Sequence, residues 1–411
     1  MITEPFKPTK WTFLFLMLAA MMILMGGAAV APALPLISQA FPDASEATVS
    51  LIITLPALAI ALTGFFIGAL SDRIGKIPVL AASVAIFTIA GSSGFYLSSL
   101  PALLVGRFIL GIGIAGIICT TSALIVCYYD GISRARVLGY QAAAMGTGVL
   151  ILETSGGLLA GISWHASFLI YLIGVVILAG ILATMKEPVL PKLSRVMGTP
   201  DETFPAFLLF LAYTTLFLGN LLFFLLPTKL PYLITNMDAA RILGENTALT
   251  AGIFLGISGC SSALMGLLYG RIAWRFHRFT ILTLTFNFFG IGLCCLGFAT
   301  SLATVGFAVI FIGIGEGILM PTILNWIAAI TPQQFIGKAM GGFSVGLNLG
   351  QFASTIAVVA VIAIAATLST MFLAFGCIAF VLALTYLFAQ IKEKYYPARA
   401  SQNILPLEAQ K

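Results

Sequence analysis

Apolar residues in this chain run in long blocks, and polar ones are largely confined to the short gaps between them. Twelve blocks cover about 11–37, 47–70, 78–99, 101–127, 136–160, 166–186, 205–235, 247–270, 279–299, 302–328, 338–363 and 366–390. A run of about twenty apolar residues is what an α-helix needs to cross roughly 30 Å of hydrocarbon with every backbone amide satisfied inside the segment. The pattern predicts an all-α membrane protein with twelve transmembrane helices.

Six spans, a charged linker and six more spans suggest duplication, and landmarks in the two halves correspond. Leu34-Pro35-Leu36-Ile37 ends span 1, and Leu230-Pro231-Tyr232-Leu233-Ile234 ends span 7. Gly68, Leu70, Arg73 and Ile74 recur 198 residues later as Gly266, Leu268, Arg271 and Ile272. Gly111, Gly113 and Gly139 recur 202 residues later as Gly313, Gly315 and Gly341. Two pseudo-symmetric six-helix bundles would enclose a cavity at their interface, which is the architecture of alternating access. The expected division is a first bundle over 1–186, a linker over 187–204, a second bundle over 205–390 and a tail over 391–411.

Composition narrows the function classes. Charged residues are 8% and hydrophobic ones 60% of the chain, so no soluble domain hides between the spans. The net charge of +6 could suggest nucleic acid, but its distribution argues otherwise. With alternating spans, seventeen of the Lys and Arg residues fall on one side; Lys229 and Arg241 fall on the other, and Arg107 lies inside a span. Such a bias places both termini and the linker in the cytoplasm, the chain being multi-pass in a cell membrane. The six cysteines stand in apolar runs without ligand spacing and read as small hydrophobes. The first run is too long for a signal peptide, and Pro32 would follow the cut.

The loop after span 2, Gly68-Ala69-Leu70-Ser71-Asp72-Arg73-Ile74-Gly75-Lys76, is the most specific local signal. Here the chain resembles the major facilitator superfamily, most nearly its twelve-helix drug/proton antiporter branch, and the resemblance covers nearly the whole chain. Ile77 replaces the second basic residue of the loop motif. Leu103, Arg107, Gly111 and Gly113 fit the arginine motif of helix 4, with Leu110 where glutamine is usual. Trp164 and Phe168 resemble the pattern that opens helix 6, with His165 in place of arginine. In helix 5, Gly156-Gly157 stand, but Leu152-Glu153 replace the branch's glycine-proline, which leaves export by antiport open without touching the fold.

Three charges are read within the spans: Arg107, Glu153 and Glu316. A charge at mid-bilayer costs roughly 2.5–3.5 kcal/mol, so such residues face a cavity, pair or titrate. Arg107 and Glu153 both lie on the order of 10 Å below the outer surface at about 1.5 Å per residue. They could form a static bridge, or a pair that opens and closes during transport. Glu316 stands near the middle of span 10 with no basic residue at its depth in that half. A carboxyl in such a place can carry a proton at neutral pH, which makes Glu316 the leading proton or cation site.

Asp72 has a derived role too, since the inner end of span 2 should approach the unsatisfied amides that start span 11. The resemblance implies the same latch, built on Gly68, Asp72, Arg73, Gly75 and Lys76. It also implies that helices 1, 4, 7 and 10 line the cavity, with Thr121, Tyr213, Thr215, Asn220, Asn325 and Trp326 as polar or aromatic candidates.

If Arg107 and Glu153 neutralise each other, the cavity keeps one acid and suits a cation or neutral amphipathic molecule. The expected function is proton-coupled export of small amphipathic or cationic compounds, with proton-coupled uptake of a nutrient as the alternative and a non-transporting receptor on the same fold as a third reading. No phosphate-binding glycine loop followed by lysine occurs, and His165 and His277 both stand near span ends. The chain is therefore expected to be no enzyme, to need no cofactor or metal, and to work as a monomer with small-molecule substrate, protons and lipid as its partners.

Overall fold

A computed structural model describes residues 8–129, 131–188, 205–237, 246–332, 335–365 and 367–395. Every regular element among them is helical. Ten helices are long and apolar enough to cross a membrane: Glu46–Ile74, Lys76–Phe95, Leu100–Tyr128, Ala166–Thr184, Ala206–Asn236, Thr247–Arg275, Arg278–Gly297, Leu302–Ile330, Ala339–Ile364 and Leu368–Ile391. These are spans 2, 3, 4 and 6 to 12. Span 1 is a broken pair, Lys10–Met21 and Met25–Ala40. Span 5 is the helix Gly131–Ile162, whose first turns carry Arg134, Arg136 and Gln141.

Side-chain caps fix several helix starts. Thr9, Ser45 and Ser301 accept the backbone N–H groups of Thr12, Thr48 and Thr304, satisfying donors a helix start leaves open. Both halves interrupt their first span ahead of the matched prolines Pro35 and Pro231. Span 1 passes through 3-10 turns at Met22–Leu24 and Ala31–Ala33 before Leu34–Ala40, and span 7 breaks between Ala206–Phe223 and Leu225–Asn236.

In the first half, span 4 packs on spans 2 and 3, span 3 on span 6, and span 1 on spans 5 and 6. In the second, span 10 packs on spans 7, 8 and 9, span 9 on span 12, and span 11 on span 7. Two extended contacts join the halves, span 2 with span 11 and span 5 with span 8, and the internal repeat exchanges them. Four of the repeated glycines have a steric reason. A Cβ on Gly111 would collide with the Pro56 carbonyl of span 2, and one on Gly313 with the Ser258 carbonyl of span 8. Gly113 likewise lets span 3 approach at Ser83, and Gly315 lets span 9 approach at Phe289 and Thr285.

Residues 189–204 of the expected linker and 396–411 of the expected tail lie outside the described residues. The start of the linker is anchored. The Glu187 carboxylate accepts the backbone N–H groups of Lys76 and Ile77 at 2.6 and 2.8 Å, capping span 3, and Tyr128 donates to the Lys186 carbonyl at 2.6 Å. Gly75 has φ 107°, and a Cβ there would lie 3.0 Å from the Glu187 carboxylate, so glycine is required twice over.

Candidate functional site

Inner and outer below follow the orientation expected from the basic residues. Arg107 is almost wholly buried in span 4, and no ion pair joins it to Glu153 among the described residues. A static bridge between them is therefore not formed. The guanidinium lies over the Phe168 ring at 4.6 Å and the Tyr171 ring at 5.0 Å, a cation–π arrangement suited to a charge out of water. Its Nη1 donates to the Tyr171 hydroxyl at 2.9 Å, which donates onward to the Met25 carbonyl at 2.9 Å. That carbonyl is available because span 1 is broken there. Arg107 Nε and Nη2 have no hydrogen-bond partner in the protein.

Glu153 is buried where spans 5 and 8 cross, its backbone carbonyl against Gly252, and its Oε2 has no partner. Glu316 is buried in span 10, again with Oε2 unpartnered. Gly313 and Gly317 face span 8 at Ser258 and Ser262, and Leu319 packs on Gly219 of span 7. At about 100° per residue Glu316 falls between those two faces, on the side where spans 7 and 8 flank span 10. Buried polar atoms without partners are uncommon, so each of these carboxylates marks a place for water, a proton or a ligand.

The other expected cavity residues divide. Tyr213 donates to the Ala339 carbonyl of span 11 at 2.7 Å, and Asn220 donates to Leu216 of its own helix at 3.1 Å. Thr121 is buried and bonded to its own helix at Ile117. Thr215 turns toward span 12, bonding the Tyr386 hydroxyl at 2.6 Å. Asn325 is exposed and donates to Tyr269 at 3.2 Å. Trp326 is buried beside Phe279 and Arg278, with its Nε1 unpartnered.

The motif after span 2 is not a loop: Gly68 to Ile74 end the span 2 helix, Gly75 turns the chain and Lys76 starts span 3. Asp72, 75% exposed at its side chain, pairs with the buried Lys76 at 3.0 Å, and Arg73 is exposed. Among the described residues Asp72 makes no hydrogen bond or ion pair to span 11.

Four residues escaped sequence reasoning. Lys229, read as an outer-surface charge, is buried as well: its Nζ lies 3.2 Å from Glu46 Oε2 of the other bundle and 4.9 Å from the Tyr232 ring centre. Its position inside the run 205–235 was the available signal. Beside it Tyr232 and Ser38 share a hydrogen bond of 3.0 Å, and deeper down Thr54 meets Thr355 at 2.8 Å. These contacts join the bundles at the outer end. At the inner end a Cβ built on Gly64, Gly270 or Gly341 would meet nothing within 4 Å. The gap between the bundles is thus shut outside and open inside. Tyr171, Ser258 and Glu187 carried no signal beyond ordinary residue types.

Two helical bundles meeting around buried, unpartnered carboxylates, closed at one end, define a membrane transporter. The chain belongs to the Major Facilitator Superfamily, whose family model matches residues 16–300 and 240–409. It is 28% identical over 352 residues to the class G tetracycline resistance protein of Vibrio anguillarum, covering 81% of this chain and 85% of that one. It is 36% identical over 186 residues to the multidrug efflux protein YfmO of Bacillus subtilis, a match spanning 44% of this chain and about half, 46%, of that relative. A stretch of 120 residues, 29% of this chain and 27% of that protein, is 29% identical to the niacin transporter NiaP of Acinetobacter baylyi. Among solved structures, a bacterial homologue of the human lysosomal transporter Spinster superposes with a TM-score of 0.74 at 17% identity, covering 94% of this chain and 98% of that one. That likeness bears on the fold alone.

Proposed function

We propose that this transporter exports small amphipathic or cationic compounds in exchange for protons, with Glu316 as the acid that carries the proton or holds the cargo. The observation that carries the reading is the burial of Glu316 in span 10 with an unpartnered oxygen and no basic side chain paired to it. With Arg107 and Glu153 unpaired, the buried charges of spans 4, 5 and 10 are two acids and one base, a balance that favours a cation over a phosphate or carboxylate. The multidrug and tetracycline relatives support export. A membrane potential of 100 mV supplies about 2.3 kcal/mol per charge, enough for accumulation of tens of fold without nucleotide.

In this reading the shut outer end and open inner end are the cargo-loading state. When the outer end parts, Arg107 and Glu153 are free to pair, and Asp72 closes on the start of span 11. Uptake of a nutrient is the second reading; it is favoured by Glu153 standing where the drug/proton branch carries glycine-proline, and by the niacin transporter match.

Efflux of a lipophilic cationic dye from proteoliposomes under an imposed pH gradient tests the proposal. Wild type should extrude the dye and Glu316→Gln should lose the gradient dependence. Unchanged efflux by the variant removes Glu316 from the coupling, and no efflux by the wild type turns the search to inward accumulation of nutrients.

A further inference from the structure

We infer that Ser258 completes the Glu316 site, its hydroxyl and the Glu316 carboxylate together holding one hydrogen-bond-donating cationic group, either the protonated amine of a cargo or a hydrated proton. The inference rests on the reading of Glu316 given above and names a residue that reading does not use.

Ser258 is 2% exposed, and its Oγ has no hydrogen-bond partner. Many hydroxyls within these helices donate to a carbonyl one turn back, as Ser261 does to Ile257 at 2.9 Å, Thr322 to Ile318 at 2.7 Å and Thr285 to Ile281 at 2.9 Å. Ser258 leaves that local option unused, and so keeps both a donor and an acceptor for something the protein does not supply.

Packing gives no reason for the hydroxyl. Ser258 lies against Gly313 as Pro56 lies against Gly111 in the first half, so the packing itself equates Ser258 with Pro56 at the 202 offset of those glycines, one helical turn away from the 198 of the landmarks at the inner ends of spans 2 and 8. The same offset equates Glu316 with Ile114. The helix crossing is therefore built equally well from two apolar residues, and the second bundle has put two polar ones in their places. In the first bundle the two counterparts converge on one point of span 1: a Cβ on Gly26 would lie 2.6 Å from Ile114 Cδ1 and 3.9 Å from Pro56 Cβ. By the repeat, Ser258 and Glu316 converge on the matching stretch of span 7.

An anionic acceptor and a neutral hydroxyl brought together in this way, both buried and without protein partners, make a site for a compact cation that donates hydrogen bonds. The other charged residues of spans 7 to 12 stand near span ends: Lys229, paired with Glu46, at the outer end of span 7; Arg271 and Arg275 at the end of span 8; Arg278 at the start of span 9; Lys338 at the start of span 11; and Lys392, Glu393 and Lys394 at the end of span 12. None of them replaces the missing donor at this depth.

The test uses the full chain in proteoliposomes, with a fluorescent dye bearing a protonated tertiary amine and, beside it, tetraphenylphosphonium, which carries charge but no N–H. Ser258→Ala should reduce gradient-driven efflux of the amine dye by roughly tenfold, the scale of one lost hydrogen bond to a charged group, while Ser258→Thr stays near wild type. If the amine belongs to the cargo, Ser258→Ala weakens binding of the amine dye and spares tetraphenylphosphonium. If the site holds the proton, the pH midpoint of transport moves for both probes alike. Either result supports the inference. Wild-type efflux and an unmoved midpoint in Ser258→Ala, with coupling still lost in Glu316→Gln, overturn the inference and leave the proposed function standing. Coupling that survives Glu316→Gln overturns both. Should Ser258→Ala not fold, Ser258→Cys, which keeps the volume and weakens the hydrogen bond, takes its place: wild-type behaviour in it overturns the inference, and a partial loss supports it.

Discussion

The helices that join the two bundles behave differently at their two ends. In their outer halves spans 5 and 8 pack backbone to backbone, Gly252 against the Glu153 carbonyl and Gly157 against that of Ala248, and spans 2 and 11 share the buried Thr54–Thr355 bond. In their inner halves the same helices expose Phe65, Phe66, Leu264 and Leu267, and Gly64, Gly270 and Gly341 face open space. Sequence type does not explain the contrast, since glycines and bulky apolar residues occur at both ends. It teaches that the bundles meet over one surface at a time, so a substitution should act on the end that is closed.

The largest effect should follow from filling the tightest crossing. A side chain at Gly252 collides with backbone, which cannot rotate away as a side-chain tip can. Gly252→Leu should destabilise the outer-closed arrangement by about 3 kcal/mol, the upper range for overpacking, and abolish transport. A cysteine at buried Leu34, in a variant without the native cysteines, reports the state: it should change from protected to labelled by a membrane-impermeant maleimide. Gly64→Leu is the control at the other end. It is sterically free in this state and should leave the cysteine protected, while slowing any step that closes the inner gap.

Next comes the ion pair across the outer end. Lys229 is 2% exposed at its side chain and Glu46 is 48% exposed, so the two deletions are not equivalent. Removing Glu46 leaves a buried ammonium without its counter-charge, whereas removing Lys229 leaves a carboxylate that water already reaches. Glu46→Ala should therefore open the outer end more than Lys229→Met, by about 2 against 1 kcal/mol, read as the fraction of Leu34→Cys labelled. Equal effects would mean that Lys229 is held by the Tyr232 ring and not by Glu46. The exchange of both charges should restore part of the protection.

Glu187 offers a contrast from the inner end. Its carboxylate caps span 3, and both of its hydrogen-bond partners among the described residues belong to the first bundle. Glu187→Gln keeps one acceptor and removes the charge favoured at a helix start, a loss of about 1 kcal/mol. It should lower thermal stability modestly without changing Leu34→Cys labelling. A change in labelling would tie the linker to the state of the bundles.

Much of this was legible in the sequence because membrane helices must satisfy their own backbone and so announce themselves by length and composition. The repeated glycines were legible for a steric reason that the packing of Gly111 and Gly313 makes plain. Span 5 came through as a helix although Arg134, Arg136 and Gln141 dilute its first half. Depth could be read for Arg107, Glu153 and Glu316 from residue counts. Rotation about the helix axis could not, and rotation decides partners: Arg107 turns to Tyr171 and Phe168 of span 6, and Thr215 to Tyr386 of span 12. Lys229 was lost to alternation, which assigned it to the surface because it stands near an end. Its contacts with Glu46 of span 2 and the Tyr232 ring bury it instead.

The smallest effect separates a contact from a constraint. Thr54 and Thr355 are both buried, and their hydroxyls bond at 2.8 Å across spans 2 and 11. Either single change to valine keeps the shape and strands one hydroxyl, which costs about 1 kcal/mol of outer closure. Changing both removes the bond and the stranded group together, so the double variant should lose less than the sum of the singles, by roughly 0.5–1 kcal/mol of coupling. Labelling of Leu34→Cys in the four members of the cycle measures it. Additive losses would show that the two hydroxyls are satisfied independently by water in the working protein, and that the outer end is held by the glycine crossing and the Glu46–Lys229 pair without them.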